Sequence, residues 1–554
     1  MTPVIQVSDL SIGFGSTTPE TATVRNVSFQ LERGEVLGLV GESGSGKTLT
    51  ARALMGLLPA GGKVISGRVE LNGSSITDLT ETALRALRGN RIAMLFQDPL
   101  GCLNPLHRLG RQIGEGLALH KKCKPAEVGA RVASLLQQVG MDDTERYMAA
   151  FPHQLSGGQR QRAMLAMALV NEPDVLIADE PTTALDAAVQ QQVLDLLLTL
   201  RNRMSIILIS HDLPMMRRAA DRICVMRNGI IVEQGITTRL FSMPRHPYTR
   251  MLLDTGPDMP PHPVPKSAPE VLRVEQLNVR YPAGSTWYGR TSNWLPAVEN
   301  AGFTLKQGEC LGVVGESGSG KSSLGLALLR LVDSTGKVNF DGTELHGISE
   351  SRLRQIRAKL QIVFQNPLSS LNPRLCVQEC IAEGLIAARL HRDNPSHTEE
   401  MVIHAMREVE LDPELRHRYP HELSGGQCQR ICIARALIMQ PRCIVFDEPT
   451  SSLDRNTQYQ VVHLLRTLQQ RHGMASLFIT HDLSLVRQLC HRVLIMHNGL
   501  IVESGCTADV FSAPRHSYTR MLLDAALPPA PNHSYDQSFT GSPSGYLELS
   551  RRHS

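Results

Sequence analysis

Two stretches of the chain carry residues whose types and spacing suit phosphate chemistry. In VLGLVGESGSGKT (36–48) and CLGVVGESGSGKS (310–322), a short apolar run enters a glycine-rich loop ending in lysine and a hydroxyl residue. Glycine tolerates positive φ and close approach, so such a loop can converge its backbone N–H groups on a polyphosphate. The candidate cradles are Gly41, Glu42, Ser43, Gly44, Ser45 and Gly46, and Gly315, Glu316, Ser317, Gly318, Ser319 and Gly320. The helix expected after each loop aims its positive N-terminal end at the anion. Lys47 and Lys321 can reach the outer phosphates, while Thr48 and Ser322 can ligate Mg2+. A flexible glycine linker would need neither the preceding strand nor the following helix, and both copies have both.

The runs VLIADE (175–180) and CIVFDE (443–448) are apolar until they end in two carboxylates. That is the pattern of a parallel strand buried on both faces with ligands collected at its carboxyl end. Asp179 and Asp447 are expected to hold Mg2+, and Glu180 and Glu448 to orient and deprotonate an attacking water. Gln97 and Gln365 follow the apolar strands MLF and IVF and are assigned to the Mg2+ and the water. His211 and His481 follow IILIS and LFIT in the same way and are assigned to the terminal phosphate. LSGGQ (155–159 and 423–427) opens an apolar helix. Its Ser-x-x-Gln is also an ordinary capping box, but the glycine pair leaves a helix N-terminus open to an anion.

These residues recur because the chain repeats itself. MLFQDPLGCLNP (94–105) returns as IVFQNPLSSLNP (362–373), IADEPTTALD (177–186) as VFDEPTSSLD (445–454), and RHPYTRMLLD (245–254) as RHSYTRMLLD (515–524). Gln97 precedes Asp179 by 82 positions, and Gln365 precedes Asp447 by 82. The repeat predicts two domains, 1–254 and 271–526. They are joined by a stiff linker, 255–270, within which PDMPPHPVPKSAP holds six prolines. The tail 527–554 reads as disordered. The second copy inserts PAGSTWYGRTSNWLP (282–296), with both tryptophans, before its glycine loop. Either a partner contact or a simple loop fits it.

The ordered set of glycine loop, glutamine, LSGGQ, Asp-Glu strand, (T/S)-x-L-D and histidine resembles the nucleotide-binding domains of ABC transporters over nearly the whole of both halves. The resemblance implies an α/β fold of two tandem P-loop NTPase cassettes. Each would hold a RecA-like core, an antiparallel β subdomain and a helical subdomain bearing the signature. It implies ATP with Mg2+, and closure across the pair. Ser424, Gly425, Gly426 and Gln427 would close on the nucleotide held by Lys47, and Ser156, Gly157, Gly158 and Gln159 on that held by Lys321. Fusion supplies both cassettes, so no homodimer is needed. Phe14 and Tyr281, upstream of the loops, are candidates to stack on adenine, although Phe14 also fits the alternation Leu10, Ile12, Phe14 of a half-buried strand. The FQ(D/N)PL..LNP segments and RHPYTRMLLD look like oligopeptide, dipeptide and nickel import ATPases, and the fused layout most like the single-chain ATPase of peptide and microcin C importers. That implies two integral-membrane permeases, an extracytoplasmic substrate-binding protein and a peripheral place on the cytoplasmic face of the plasma membrane. Nickel chelates, opines and glutathione stay open as cargo. Helix packing is the one physical reading available for RHPYT. Cys428, beside the second signature where the first copy has Arg160, is a departure expected to weaken closure over the nucleotide of Lys47.

Composition bounds the alternatives. Of 554 residues, 42% are hydrophobic and 20% charged, a globular balance. A net charge of +4, from 57 basic and 53 acidic residues, gives no footprint for nucleic acid. The start MTPVIQVSDL lacks the form of a signal peptide, and no apolar run approaches the roughly 20 residues that span a bilayer. Eleven cysteines without a CxxC read as small apolar residues in a reducing cytosol. A twin ATPase acting on ribosomes would be expected to carry a long charged helical linker, and a DNA-repair ATPase zinc-spaced cysteines. Neither feature is present.

Overall fold

The computed structural model describes residues 3–15, 18–96, 99–121, 123–182, 187–253, 261–285, 291–388, 395–451 and 453–526. Each half is built on a six-stranded sheet. In the first the order runs Ile230–Ile236, Arg222–Arg227, Val36–Val40, Ser205–Ile209, Val175–Asp179 and Ile92–Leu95. Every neighbour pair is parallel except the antiparallel pair at the Ile230–Ile236 edge. The second half repeats the arrangement with Leu360–Val363, Cys443–Asp447, Ala475–Thr480, Cys310–Val314, Arg492–His497 and Leu500–Cys506.

The central strands are apolar throughout because both faces are covered. Along Val36–Val40, successive side chains point to opposite faces. Leu37 and Leu39 enter the core shared with the antiparallel subdomain, and Val36 and Val40 enter the core shared with the helices. The antiparallel subdomains pair Ile5–Phe14 with Val24–Leu31 and Gly62–Leu71, and Glu270–Ser285 with Thr291–Lys306 and Ser334–Phe340. The helical subdomains contain Leu109–His120 and Pro125–Gln138, then Val377–Ala387 and Pro395–Glu408, each set leading to a signature helix.

The described residues of the insertion before the second glycine loop, 282–285 and 291–296, are paired strand. The backbone ladder of Glu270–Ser285 with Thr291–Lys306 runs on to the pair Ser285↔Thr291, which lengthens the hairpin. Of its two tryptophans only Trp294 has a described side chain, and it is 57% exposed. His491 Nε2 of the second half donates to the carbonyl of His262 in the linker at 2.6 Å, tying that segment to the second half. Cys380, Cys428 and Cys432 are buried in the helical core, and burial pushes the Cys380 thiol up to about 11 and that of Cys432 to about 12. Among the described residues no helix is long and apolar enough to cross a membrane.

Candidate active site

Four adjacent parallel strands of each sheet deliver the candidate residues to one edge, the carboxyl ends, where open α/β sheets bind ligands. In the first half Val36–Val40 runs into the glycine loop, Ser205–Ile209 ends two residues before His211, and Val175–Asp179 leads into Glu180. Gln97, which follows Ile92–Leu95, lies outside the described residues, whereas its counterpart Gln365 is within them.

The loops are held open by close backbone packing. A Cβ on Gly41 would lie 2.2 Å from the Met226 carbonyl oxygen, and one on Gly315 would lie 2.1 Å from that of Met496. Gly46 and Gly320 take φ of 99° and start the helices Lys47–Leu54 and Lys321–Leu328. A Cβ on Gly44 or Gly318 would meet nothing within 4 Å, so the space above both loops is open. Lys47 Nζ donates to the carbonyls of Gly41 (2.8 Å) and Glu42 (2.7 Å), and Lys321 Nζ to those of Gly315 (2.9 Å) and Glu316 (2.7 Å). Burial lowers the pKa of Lys47, and the charges of Glu180, Asp179, Asp454 and Glu42 act against that. In the second loop the buried Ser319 hydroxyl has no hydrogen-bond partner.

Thr48 Oγ1 donates to Asp179 Oδ1 at 3.2 Å, and Ser322 Oγ to Asp447 Oδ1 at 2.9 Å. Hydroxyl and carboxylate oxygens this close are the hard donors Mg2+ takes. Burial raises the Asp179 carboxyl to about 6 and raises Asp447 too, against the hydrogen bonds from Thr48 and Ser322. A carboxylate that costs this much to ionise is one that a cation would relieve. The chemistry of this donor set therefore fits Mg2+.

Glu180 Oε1 lies 3.3 Å from His211 Nδ1, and Glu448 Oε2 lies 3.4 Å from His481 Nδ1. Burial pushes the Glu448 carboxyl up, but the hydrogen bond and charge of His481 outweigh it and hold it below its usual range. His481 is pushed down by burial and held above its usual value by Glu448 and Asp482. Gln365 Nε2 donates to Glu448 Oε2 at 2.8 Å, so glutamine, glutamate and histidine form one connected set. Glu180 and Glu448 adopt left-handed backbone, φ 48° and 46°.

Ser156 and Ser424 cap the signature helices Gly157–Leu169 and Gly425–Leu437, and both capping boxes are formed. The second glycine of each pair also answers to packing. A Cβ on Gly158 would lie 2.7 Å from Val189 Cγ1, and one on Gly426 would lie 2.7 Å from Thr457 Cγ2. Arg160 Nε donates to the carbonyls of Leu155 and Ser156, bracing the first signature. Cys428 instead faces inward, with Sγ 3.4 Å from the Pro420 carbonyl oxygen. Phe14 and Tyr281 are 39% and 37% exposed while Leu10 and Ile12 are buried, so Phe14 is not a core residue. The Tyr281 hydroxyl lies 3.2 Å from Ser323 Oγ, beside the loop that holds Ser322.

The halves meet beside the first of these sites. Asp454 and Arg455 of the second half line a small cavity with Gly41, Glu42 and His211 of the first. The helix Ser517–Ala526 of the second half packs on Ala187–Leu200 of the first. Sequence reasoning missed Tyr248 and Tyr518, in the segment to which it could give only a packing role. Their hydroxyls accept from the glycine-loop amides of Glu42 and Glu316.

Such a pair of cassettes is a twin ATP-binding, ATP-hydrolysing engine. The family model for the ABC transporter matches residues 24–183 and 298–451, and that for the oligopeptide/dipeptide transporter C-terminal region matches 232–290 and 502–551. The chain belongs to the ABC transporter family, as a fused double-cassette ATP-binding protein. The chain is 48% identical over 525 residues, 94% of its length and 99% of the relative's, to the ABC transporter ATP-binding protein YejF of Escherichia coli. It is 48% identical over 529 residues to the peptidoglycan transport ATP-binding protein YejF of Agrobacterium fabrum, covering 95% and 96% of the two chains. It is 43% identical over 563 residues to the glutathione import ATP-binding protein GsiA of Escherichia coli, covering 95% and 90%. Among solved structures, a dimeric ATP-binding cassette with ADP and Pi is 27% identical, with a TM-score of 0.39, covering 43% of this chain and 98% of that one. An ATP-binding subunit of this family works with permeases in the membrane.

Proposed function

We propose that the chain energises an importer of peptides or peptide-like compounds by gripping two ATP molecules between its own cassettes. Lys47 and Lys321, with the glycine-loop amides, bind the phosphates. Thr48, Gln97 and Asp179, and Ser322, Gln365 and Asp447, would hold Mg2+, which supplies charge neutralisation at the outer phosphates when bound. Phe14 and Tyr281 stack on adenine. Ser424 to Gln427 cap the nucleotide of Lys47, and Ser156 to Gln159 that of Lys321. Closure driven by ATP and reopening after hydrolysis form a ligand-driven shift between two states.

Glu180 and Glu448 take the proton of the attacking water. His211 and His481 orient those carboxylates and contact the terminal phosphate. The observation that carries this reading is the Glu–His pair, at 3.3 and 3.4 Å, beside a buried lysine in both halves. Both sites are therefore competent. Steady-state ATPase measurements on Glu180→Gln and Glu448→Gln separately test it. Each loses at least half of the turnover, since a general base contributes about 10²–10⁴-fold at its own site. An unchanged rate in either single variant would falsify two-site hydrolysis.

The names of the relatives bound the cargo. One is named for peptidoglycan transport and one for glutathione import, compounds that both have peptide character. The matched C-terminal region points the same way. Two integral-membrane permeases, an extracytoplasmic binding protein and a peripheral place on the cytoplasmic face of the plasma membrane complete the machine, with no nucleic acid and no homodimer. The division into 1–254, a linker 255–270 and 271–526 is supported by the last helix of the first half, Pro247–Leu253, and by the first strand of the second, which starts at Glu270, one residue inside that linker.

A further inference from the structure

We infer that Tyr248 and Tyr518 are positioning residues that set each glycine loop by fixing the peptide group from which its lysine hangs. The inference rests on the nucleotide sites proposed above, and it assigns a role to the RHPYT and RHSYT segments. Glu42 N–H donates to the Tyr248 hydroxyl at 3.1 Å, across 206 positions of sequence, and Glu316 N–H to the Tyr518 hydroxyl at 3.0 Å. The Glu42 N–H and the Gly41 carbonyl belong to one planar peptide group. That carbonyl accepts from Lys47 Nζ at 2.8 Å, and the Gly315 carbonyl from Lys321 Nζ at 2.9 Å. A rigid plate is thus held at one edge by a tyrosine and at the other by the phosphate-binding lysine. The same construction appears in both halves, built from separate residues.

The tyrosine is itself held firmly. Tyr248 is 2% exposed, and the Arg227 guanidinium lies over its ring at 4.7 Å. Its backbone N–H donates to His246 Nδ1 at 3.2 Å. The Glu233 carboxylate accepts the amides of Arg245 and His246 at 2.9 and 3.0 Å, and Glu503 does the same for Arg515 and His516. The bonds at Arg245, His246 and Tyr248 thus converge on delivering one hydroxyl to one amide. A residue chosen only for packing would need the ring and not the oxygen.

Removing the hydroxyl leaves the amide without its partner, and the loop then spends part of its time with the Gly41 or Gly315 carbonyl turned away from the lysine. Affinity falls in proportion to the fraction of loops still set for binding, while the chemical step after binding is untouched. For the full chain carrying Tyr248→Phe and Tyr518→Phe, the expected KM for ATP rises about three- to tenfold, with kcat within about twofold of the unaltered protein. A KM equal to that of the unaltered chain, or a fall in kcat at constant KM, overturns the assignment. Residue-resolved amide hydrogen exchange on the unaltered, nucleotide-free chain gives a second reading that no variant can confound. Glu42 and Glu316 should exchange markedly more slowly than the glycines that follow them; exchange at the open-loop rate sinks the proposal. Lys47→Ala with Lys321→Ala separates the two levels. If that variant binds ATP normally, the nucleotide sites are misplaced; if it fails to bind while the phenylalanine variant is normal, the tyrosine role alone is lost.

Discussion

Asp179 is where binding and stability pull in opposite directions, and Asp179→Asn should make the metal-free protein more stable. The carboxyl titrates at about 6, against 3.8 for the ordinary aspartate, chiefly because it is buried and secondarily because Glu180 stands beside it. A raised carboxyl pKa means the folded state holds the proton more tightly than the unfolded state. The resulting stability is fully present below pH 3.8 and is lost as pH rises through about 6. The difference of about two pKa units corresponds to about 3 kcal/mol at pH 8. Asparagine keeps the shape and an oxygen for Thr48 Oγ1, now 3.2 Å from Asp179 Oδ1, and removes the charge. Differential scanning calorimetry in EDTA at pH 8 should show the transition of the first cassette raised by about 5–10 °C, and the gain should vanish near pH 4. With ATP and magnesium the order reverses, because ligand stabilisation belongs to the chain that binds. A variant that melts at or below the unaltered protein at pH 8 in EDTA, or a gain that persists unchanged to pH 4, would refute the reasoning.

Two further substitutions probe the loop and the signature. Gly41→Ala places a methyl 2.2 Å from the Met226 backbone oxygen, which cannot move without the sheet; nucleotide binding should fall more than tenfold and thermal stability by about 1–3 kcal/mol, read by titration and melting. Arg160→Met removes the donors to the Leu155 and Ser156 carbonyls and should lower turnover about three- to tenfold, whereas Cys428→Ala, whose thiol points into the core towards the Pro420 carbonyl, should stay within about twofold.

What could be read from the sequence was whatever sits beside its own signal. The glycine loop, the Asp-Glu strand end and the histidine each follow an apolar run, and a parallel sheet necessarily brings those run-ends together. Tyr248 carries no such mark, since its partner Glu42 is 206 positions away and nothing local distinguishes a clamping tyrosine from a packed one. The second signature glycine was legible as a position but not in full as a reason, because Val189 and Thr457, which would crowd a side chain there, lie on another helix. The insertion showed its tryptophans but not its pairing. Flanking strands already in register extend at little cost, and composition does not display register. Phe14 lies in its strand as the alternation implies but could be taken for a half-buried residue, because alternation gives a face, not the point where that face runs out of cover.

The left-handed backbone at Glu180 and Glu448 has a consequence for how such a twin ages. A glutamate held at φ near 48° sits about 1 kcal/mol or more above what glycine would require there, and asparagine also suits that conformation better. Chance replacement of either acid by glycine would relieve that strain, forfeit the contact with the histidine and leave an idle half. In a fused pair the other half keeps working, so selection for robustness alone drifts toward lopsided machines. Both acids are present in this chain, against the preference of the backbone that carries them.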